Sequence, residues 1–423
     1  MEIKINWVHK NLASTISVLE SGSRPKGGAS TDGGEIPSLG GENIVRSGGV
    51  SLEGVKRVPR KFYDRMTKGH LEDGDVLINK DGAQTGKVGM YRNETDGPAC
   101  INEHLFLIRG RPKKITQEFL YYSLLSQPSQ AQIDVQITGS AQPGLKSDFL
   151  RNVFADIPPT LTEQYKIAEI LTTVDWAIEQ TEALIDKQQR IKRGLIQDLL
   201  TRGIDEQGNL RSEKTHEFKD SPLGRIPVEW DYGNLGKCCN VHNDLRKPIA
   251  ALIRKEMAGD YPYYGPTGIL DFINEYRVDG KYVLIGEDGD HFLKFNAQEM
   301  TLLVKGKFNV NNHAHILSGN EKVVTEWLHL FFMHRDITLH LTRQGAGRLK
   351  LNKLALLSLP LAYPKEQTEQ KKIVRIVNSV RSNQVETALS LSKFRSLKIA
   401  LMQDLLTGTV PITPLLSKAE IGA

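Results

Sequence analysis

The stretch TEQYKIAEI occupies Thr162–Ile170, and a second version, TEQKKIVRI, occupies Thr368–Ile376, 206 residues further on. The offset holds without a gap as far as LIQDLLT (Leu195–Thr201) and LMQDLLT (Leu401–Thr407), and sixteen of the forty aligned positions are identical. Upstream the offset drifts by a few residues, as loop insertions make it drift. VLINKDG (Val76–Gly82) matches VLIGEDG (Val283–Gly289), and INEHLFLIRG (Ile101–Gly110) matches VNNHAHILSG (Val310–Gly319). TGSAQPGLK (Thr138–Lys146) matches QGAGRLK (Gln344–Lys350), and WVHKNL (Trp7–Leu12) matches WDYGNL (Trp230–Leu235). The chain is one unit of about 200 residues written twice, a duplication rather than a solenoid, whose period is far shorter.

Each unit has two parts. In the first part, short apolar runs such as DVLINKDG, HLFLIRG, YVLIGEDG and TLLVKGKF are bounded by Gly, Asp and Lys and read as strands. TQEFLYYSLLSQ and VTEWLHLFFMHRD read as helices packed on them. The second part reads as one long helix. Between Thr162 and Leu200 there is no Pro and a single Gly, Gly194. Apolar residues at Ile167, Ile170, Val174, Ala177, Leu184, Ile191 and Leu195 follow a three-four alternation, with Thr181 and Gln188 filling two places. Ile373, Ile376, Val380, Phe394, Leu397 and Leu401 keep the same phase in the copy, with Asn383, Thr387 and Ser390 between them. This predicts a coiled-coil-like seam, entered through PPTLTEQ and YPKEQTEQ, where Pro precedes the helix and Thr stands as a candidate N-cap. The second helix is expected to run back antiparallel along the first, with one globule at each end and a pseudo-twofold axis between the units.

The chain has 423 residues, 39% hydrophobic and 25% charged, with a net charge of +5. That balance suits a two-domain globular protein and permits a polyanionic partner without requiring one. Cys100, Cys238 and Cys239 form no CxxC pair and no zinc spacing, which favours a reducing compartment. The N-terminal MEIKINWVHKNL lacks an apolar signal core and no apolar stretch reaches membrane-spanning length. A cytoplasmic location without membrane contact is expected.

A two-headed protein with unlike heads matches an asymmetric, interrupted pair of half-sites on DNA. The chain resembles the specificity subunits of type I restriction-modification systems. The resemblance rests on the duplicated TEQ..I..I helices, the QDLLT helix ends, SGSRPKGG (Ser21–Gly28), SPLGRIPVEW (Ser221–Trp230), and YPYYGPTGILDFINEY followed by YVLIGEDG. It covers nearly all of residues 1–410 and leaves only the tail PLLSKAEIGA unassigned.

The implied fold is α+β: two pseudo-twofold-related mixed α/β target-recognition domains joined by two long antiparallel coiled-coil-like helices. The divisions are target-recognition domain 1 (1–158), first long helix (159–203), linker (204–228), target-recognition domain 2 (229–363), second long helix (364–408) and tail (409–423). The resemblance further implies a subunit with no catalytic centre, which holds two methylation subunits and restriction subunits and directs them to double-stranded DNA. S-adenosylmethionine, ATP and Mg are then expected on those partners and no cofactor on this chain. A DNA-independent two-headed scaffold is the alternative.

The residues themselves speak against catalysis. GAQTGK (Gly82–Lys87) has three residues between its glycines where a phosphate loop has four, and Val88 stands where Ser or Thr is required. HAH (His313–His315) places two imidazoles on one strand face, without a carboxylate or thiol at ligand spacing in sequence. The acidic IGEDGDH, with Glu287, Asp288 and Asp290, has INKDGAQ as its copy, so the two units do not share an acidic site.

Polar and basic loop positions at equivalent places are the candidate DNA contacts, because Arg, Gln and Lys suit base edges and Lys and Ser suit phosphates. In the first head these are Ser23, Arg24, Lys26, Lys80, Gln84, Lys87, Gln142 and Lys146. In the second they are Arg246, Lys247, Tyr263, Tyr264, Glu287, His291, Arg343, Gln344, Arg348 and Lys350. Asn102, Asn311 and Asn312 are turn-forming candidates. Gln164 and Gln370, polar and repeated, are candidate contacts to the methylation subunits, with N-terminal capping as the other reading.

Overall fold

The structure, a computed structural model, describes residues 7–32, 34–45, 48–93, 95, 97–139, 143–344 and 348–416. It divides into two compact units, Met1–Ala183 with Leu389–Ala423, and Leu184–Ala388. The boundary cuts both long helices, Leu161–Thr201 and Gln367–Leu406, near their middles. Each unit thus holds one head and one half of each helix, a division that the linear order of head, helix, head, helix does not reveal.

In the first unit, strand Val8–Asn11 pairs antiparallel with Phe154–Ile157, so the head begins and ends on one two-stranded neck. The main sheet has the order Ile16–Ser21, Leu105–Gly110, Val76–Asn79, Val88–Met90, all antiparallel. A smaller sheet sets Ile36–Leu39 between Lys56–Val58 and Cys100–Ile101, the last in parallel. Helices Gln117–Leu125 and Gln127–Gln136 are N-capped by Thr116 and Ser126. Phe119, Leu120 and Tyr122 join Val76, Ile78 and Ile108 in the core, together with Ile167 and Leu171 of the first long helix and Leu405 and Leu406 of the second.

The second unit repeats this plan. Trp230–Asn234 pairs antiparallel with Pro360–Pro364 as its neck. Its sheet runs Cys239–Val241, Ala314–Gly319, Val278–Gly286, Thr301–Val310, the same order as in the first unit, and continues with Ala258–Tyr264 and Ile269–Ile273. The extension follows from one continuous strand. Thr301–Val310 runs for 10 residues, and Tyr264 pairs in parallel with its Val310. In the first unit the corresponding course is broken into Val88–Met90 and Cys100–Ile101, so the equivalent parallel pair, Leu39 with Ile101, falls in a separate sheet. Trp230 and Trp327 are fully buried and meet edge to face, with centroids 5.5 Å apart.

Within each unit the helix halves run antiparallel. In the first, Lys398 pairs with Asp175 at 2.6 Å and Arg395 with Glu182 at 2.6 Å. In the second, Gln188 donates to the Thr387 hydroxyl at 3.0 Å, while Leu199, Ile373 and Val377 share one core. The expected apolar seam is interrupted: Leu184, Ile191 and Leu397 are 46%, 53% and 46% exposed. Burial is concentrated near the helix ends, where the heads pack, and polar pairs take over along the middle. The heptad pattern therefore overstated how dry this contact is.

Candidate nucleic-acid interface

In the first unit, the turn after Val76–Asn79 carries Lys80, Asp81 and Gly82. Three segments close on it. The Lys80 N–H donates to the His104 carbonyl at 2.8 Å, and the Leu145 N–H donates to the Lys80 carbonyl at 2.7 Å. The Gly82 N–H donates to the Pro143 carbonyl at 2.9 Å. In the second unit, the Glu287 N–H donates to the His313 carbonyl at 2.7 Å, the Leu351 N–H to the Glu287 carbonyl at 2.7 Å, and the Gly289 N–H to the Leu349 carbonyl at 3.1 Å. The two frameworks are the same. They also correct the sequence match: Pro143–Leu145 corresponds to Leu349–Leu351, two residues away from the register in which GLK overlays RLK.

Each framework holds a histidine in the same way. The Asn102 side chain accepts the His104 N–H at 2.9 Å, and the Asn311 side chain accepts the His313 N–H at 2.8 Å. Asn102 and Asn311 are therefore the turn-formers expected of them. His104 Nδ1 lies 2.5 Å from Asp81, and His313 Nδ1 lies 2.8 Å from Asp288.

Around these shared parts the side chains differ. In the first unit Arg24 pairs with Glu103 at 2.9 Å, and Lys80 donates to the Glu103 carbonyl at 3.2 Å while lying over the Phe106 ring. Lys87 donates to Gln84 at 3.0 Å, and Ser23, Lys26 and Lys146 are exposed. In the second unit Arg246 pairs with Glu287 at 2.7 Å and reaches the Asn312 carbonyl, and Lys350 stands 3.4 Å from the same carboxylate. Arg348 pairs with Asp288 at 3.2 Å and Lys247 with Glu275. Arg343 is exposed on the hairpin Thr342–Gln344 with Arg348–Lys350, and Tyr264 is half-buried against Phe308. Gln142 lies outside the described residues, as does the side chain of Gln344.

Four expected contacts take other roles. Tyr263 is fully buried; its hydroxyl donates to the Lys247 carbonyl and accepts the Ile249 N–H, both at 2.9 Å. His291 is buried beside Gly286, with its ring tilted against Phe292 at 4.1 Å between centroids. Burial pushes its ring below the usual histidine range against the pull of Asp288 and Asp290. Gln164 and Gln370 are 1% and 0% exposed, so neither offers a surface to a partner. Gln164 accepts the Thr116 N–H at 2.9 Å and donates to the Lys114 and Pro158 carbonyls. Gln370 accepts the Val324 N–H at 2.9 Å and donates to the Lys322 and Pro364 carbonyls. Each glutamine latches its head to the start of a long helix, and both recur because the three bonds recur.

The stretches considered for catalysis are also placed. GAQTGK forms a turn leading into strand Val88–Met90, not into a helix whose N–H groups could cradle phosphate. His315 is buried, with Nε2 donating to the Leu351 carbonyl at 2.8 Å and Nδ1 accepting from Asn243 at 2.9 Å, so both nitrogens are occupied. Glu287 and Asp288 are committed to the ion pairs above. Among the described residues no group of three or more His, Cys, Asp or Glu side chains is placed to hold a metal ion, and no helix is long and apolar enough to cross a membrane.

The chain matches the model of the type I restriction modification DNA specificity domain twice, over residues 4–188 and 227–393. A protein of Haemophilus influenzae named as a type I restriction enzyme specificity subunit is 32% identical over 163 residues, 38% of this chain and 40% of that protein. The type I restriction enzyme MjaVIII specificity subunit of Methanocaldococcus jannaschii is 24% identical over 173 residues, 41% of this chain and 37% of that protein. These matches span well under two thirds of the relatives' lengths. The crystal structure of the S subunit of a type I restriction-modification system from M. genitalium superposes with a TM-score of 0.62 at 17% identity, covering 96% of this chain and 97% of that one. A chain from a study of complex assembly in the type I system gives 0.56 at 13% identity, covering 97% of this chain and all of that one. The duplicated framework and the doubled domain match agree: the chain belongs to the type I restriction-modification DNA specificity family.

Proposed function

We propose that this protein reads a bipartite, asymmetric DNA target, one half-site per head, and directs partner subunits to it. One observation carries the reading: two sites share three backbone hydrogen bonds and an Asn–His turn yet present different side chains. Lys80 stands where the second unit has Glu287, and Glu103 stands where it has Asn312. A common scaffold with unlike donors and acceptors suits two different base sequences. The chain itself is then non-catalytic. Methylation subunits bring S-adenosylmethionine for adenine methylation, and restriction subunits bring ATP and Mg for cleavage. The family membership and a structural relative drawn from a type I assembly support such partners.

The test is reconstitution with methylation subunits, followed by mapping of methylated adenines. Exchanging residues 1–158 for those of a relative is expected to change one half of the methylated motif and leave the other intact. A change in both halves, or no sequence-specific methylation by the parent complex, overturns the reading.

A further inference from the structure

The aspartate–histidine couples stand apart from their surroundings. Asp81 with His104 and Asp288 with His313 keep the same three links: an Asn side chain on the His N–H, a turn N–H on the His carbonyl, and an Asp carboxylate on Nδ1. The two imidazoles are 45% and 44% exposed, so each ring, held at Nδ1 by its carboxylate, also meets solvent. The residues beside them differ between the heads. His104 Nε2 lies 3.4 Å from Glu103, whose carboxylate also stands 2.9 Å from Arg24; the second head has Asn312 in place of that carboxylate.

We infer that His104 and His313 are sequence-independent anchors, each placing one head on a DNA phosphate through Nε2, and not readers of bases. This rests on the DNA-binding reading above. A base reader is expected to differ between heads with different targets, whereas the phosphate is the same at every step of the duplex. With the carboxylate accepting from Nδ1–H, the ring is fixed in orientation, and Nε2–H donates to a phosphate oxygen in the doubly protonated form. Asp81 and Asp288 are positioning residues in this arrangement.

The full chain, assembled with its methylation subunits, is titrated with labelled duplexes carrying its mapped target, the target with either half scrambled, and random sequence. His104→Gln and His313→Gln are each expected to weaken binding roughly ten-fold on every duplex alike, the size of one charge-assisted contact. The preference for target over random sequence stays unchanged. The slope of log affinity against log salt becomes shallower for each histidine removed, by up to about 0.9 for a fully charged ring. Asp81→Asn and Asp288→Asn keep the ring but loosen it, and give a smaller loss of the same uniform kind. Assembly and melting of each variant are measured alongside, so that a folding defect is recognised as such. Lost discrimination at one half-site would make the histidine a base reader, and unchanged affinity on all duplexes would remove it from the interface; either overturns the inference. A parent complex that binds no duplex refutes the DNA-binding reading and this inference together.

Discussion

The two heads solve one architectural problem with the same residues and diverge in nearly everything else. Both hang from a two-stranded neck, both are latched by a buried glutamine, and both hold a histidine on an aspartate. They part where the first sheet is split and the second is continuous, and in how charge is buried. Arg381 of the second long helix pairs with Glu299 at 2.7 Å and lies 3.2 Å from the buried His329. At the equivalent place, 206 residues earlier, Asp175 accepts from Tyr122 at 2.9 Å and pairs with Lys398. The latch glutamines bond backbone groups and recur, whereas Arg381 and Asp175, at equivalent places, meet side chains and differ.

The sharpest test of that division lies in the repeated TEQ itself. Glu369 accepts two bonds from Arg211, at 2.6 and 3.0 Å, and one each from the Ile204 N–H and the Trp230 indole N–H. The side chain of its twin Glu163 meets the Thr160 hydroxyl at the surface. Glu369→Ala is expected to destabilise the second unit by about 4 kcal/mol, because Arg211 is left buried without its partner. Glu163→Ala should cost no more than about 0.5 kcal/mol. Denaturant titration of both variants checks this; equal effects would mean that the repeat is read for helix capping alone.

The glutamines should behave in the opposite way. Gln164→Ala and Gln370→Ala each strand a buried N–H and two carbonyls, at about 3 kcal/mol. The loss is expected to be alike in the two units, read as hydrogen exchange in the helix start of each. A large effect in one unit only would break the equivalence of the latches.

Acid should separate the units again. Burial lowers His329 to about 4, and Glu299 opposes that shift. Burial also lowers His291 and His315. All three lie in the second unit. Unfolded, each ring takes up a proton near pH 6.5 that the folded unit resists. Stability therefore falls as pH drops from 7 to 5, by about 2 kcal/mol for His329 alone. Hydrogen exchange at the two pH values is expected to show helix Thr325–Phe332 loosening while Gln117–Leu125 holds. Equal loosening would place the acid response elsewhere.

The smallest difference concerns the surface pairs. Arg24 and Glu103 are 63% and 27% exposed, Arg246 and Glu287 only 22% and 17%. Arg24→Ala is expected to change stability by under about 0.5 kcal/mol and Arg246→Ala by about 1.5 kcal/mol, measured by thermal melting.

Much of this was legible in sequence because duplication supplies a second reading of every element. The strands at VLINKDG and VLIGEDG, the helices at TQEFLYY and VTEWLHL, and both long helices stand where their periodicity predicts. Gln164 and Gln370 were conspicuous, but their role was not, since their partners Thr116 and Val324 lie 48 and 46 residues away. Tyr263, placed by the sequence among the loop positions, sits within strand Ala258–Tyr264 and is fully buried. The aspartate–histidine couples were visible as the D and H shared by KDG with EDG and by NEH with NNH. Nothing local says that those letters meet across 23 and 25 residues.

The necks bear on how a head is joined to the rest of its unit. Val8 faces Ile157 and Trp230 faces Pro364, so the chain leaves each head beside the point at which it arrived. A head is therefore entered and left through one two-stranded neck, and is fastened besides by its latch glutamine and by core packing on the long helices. A different segment placed between the two strands meets the same neck, provided it supplies the backbone N–H and carbonyl that the latch glutamine requires.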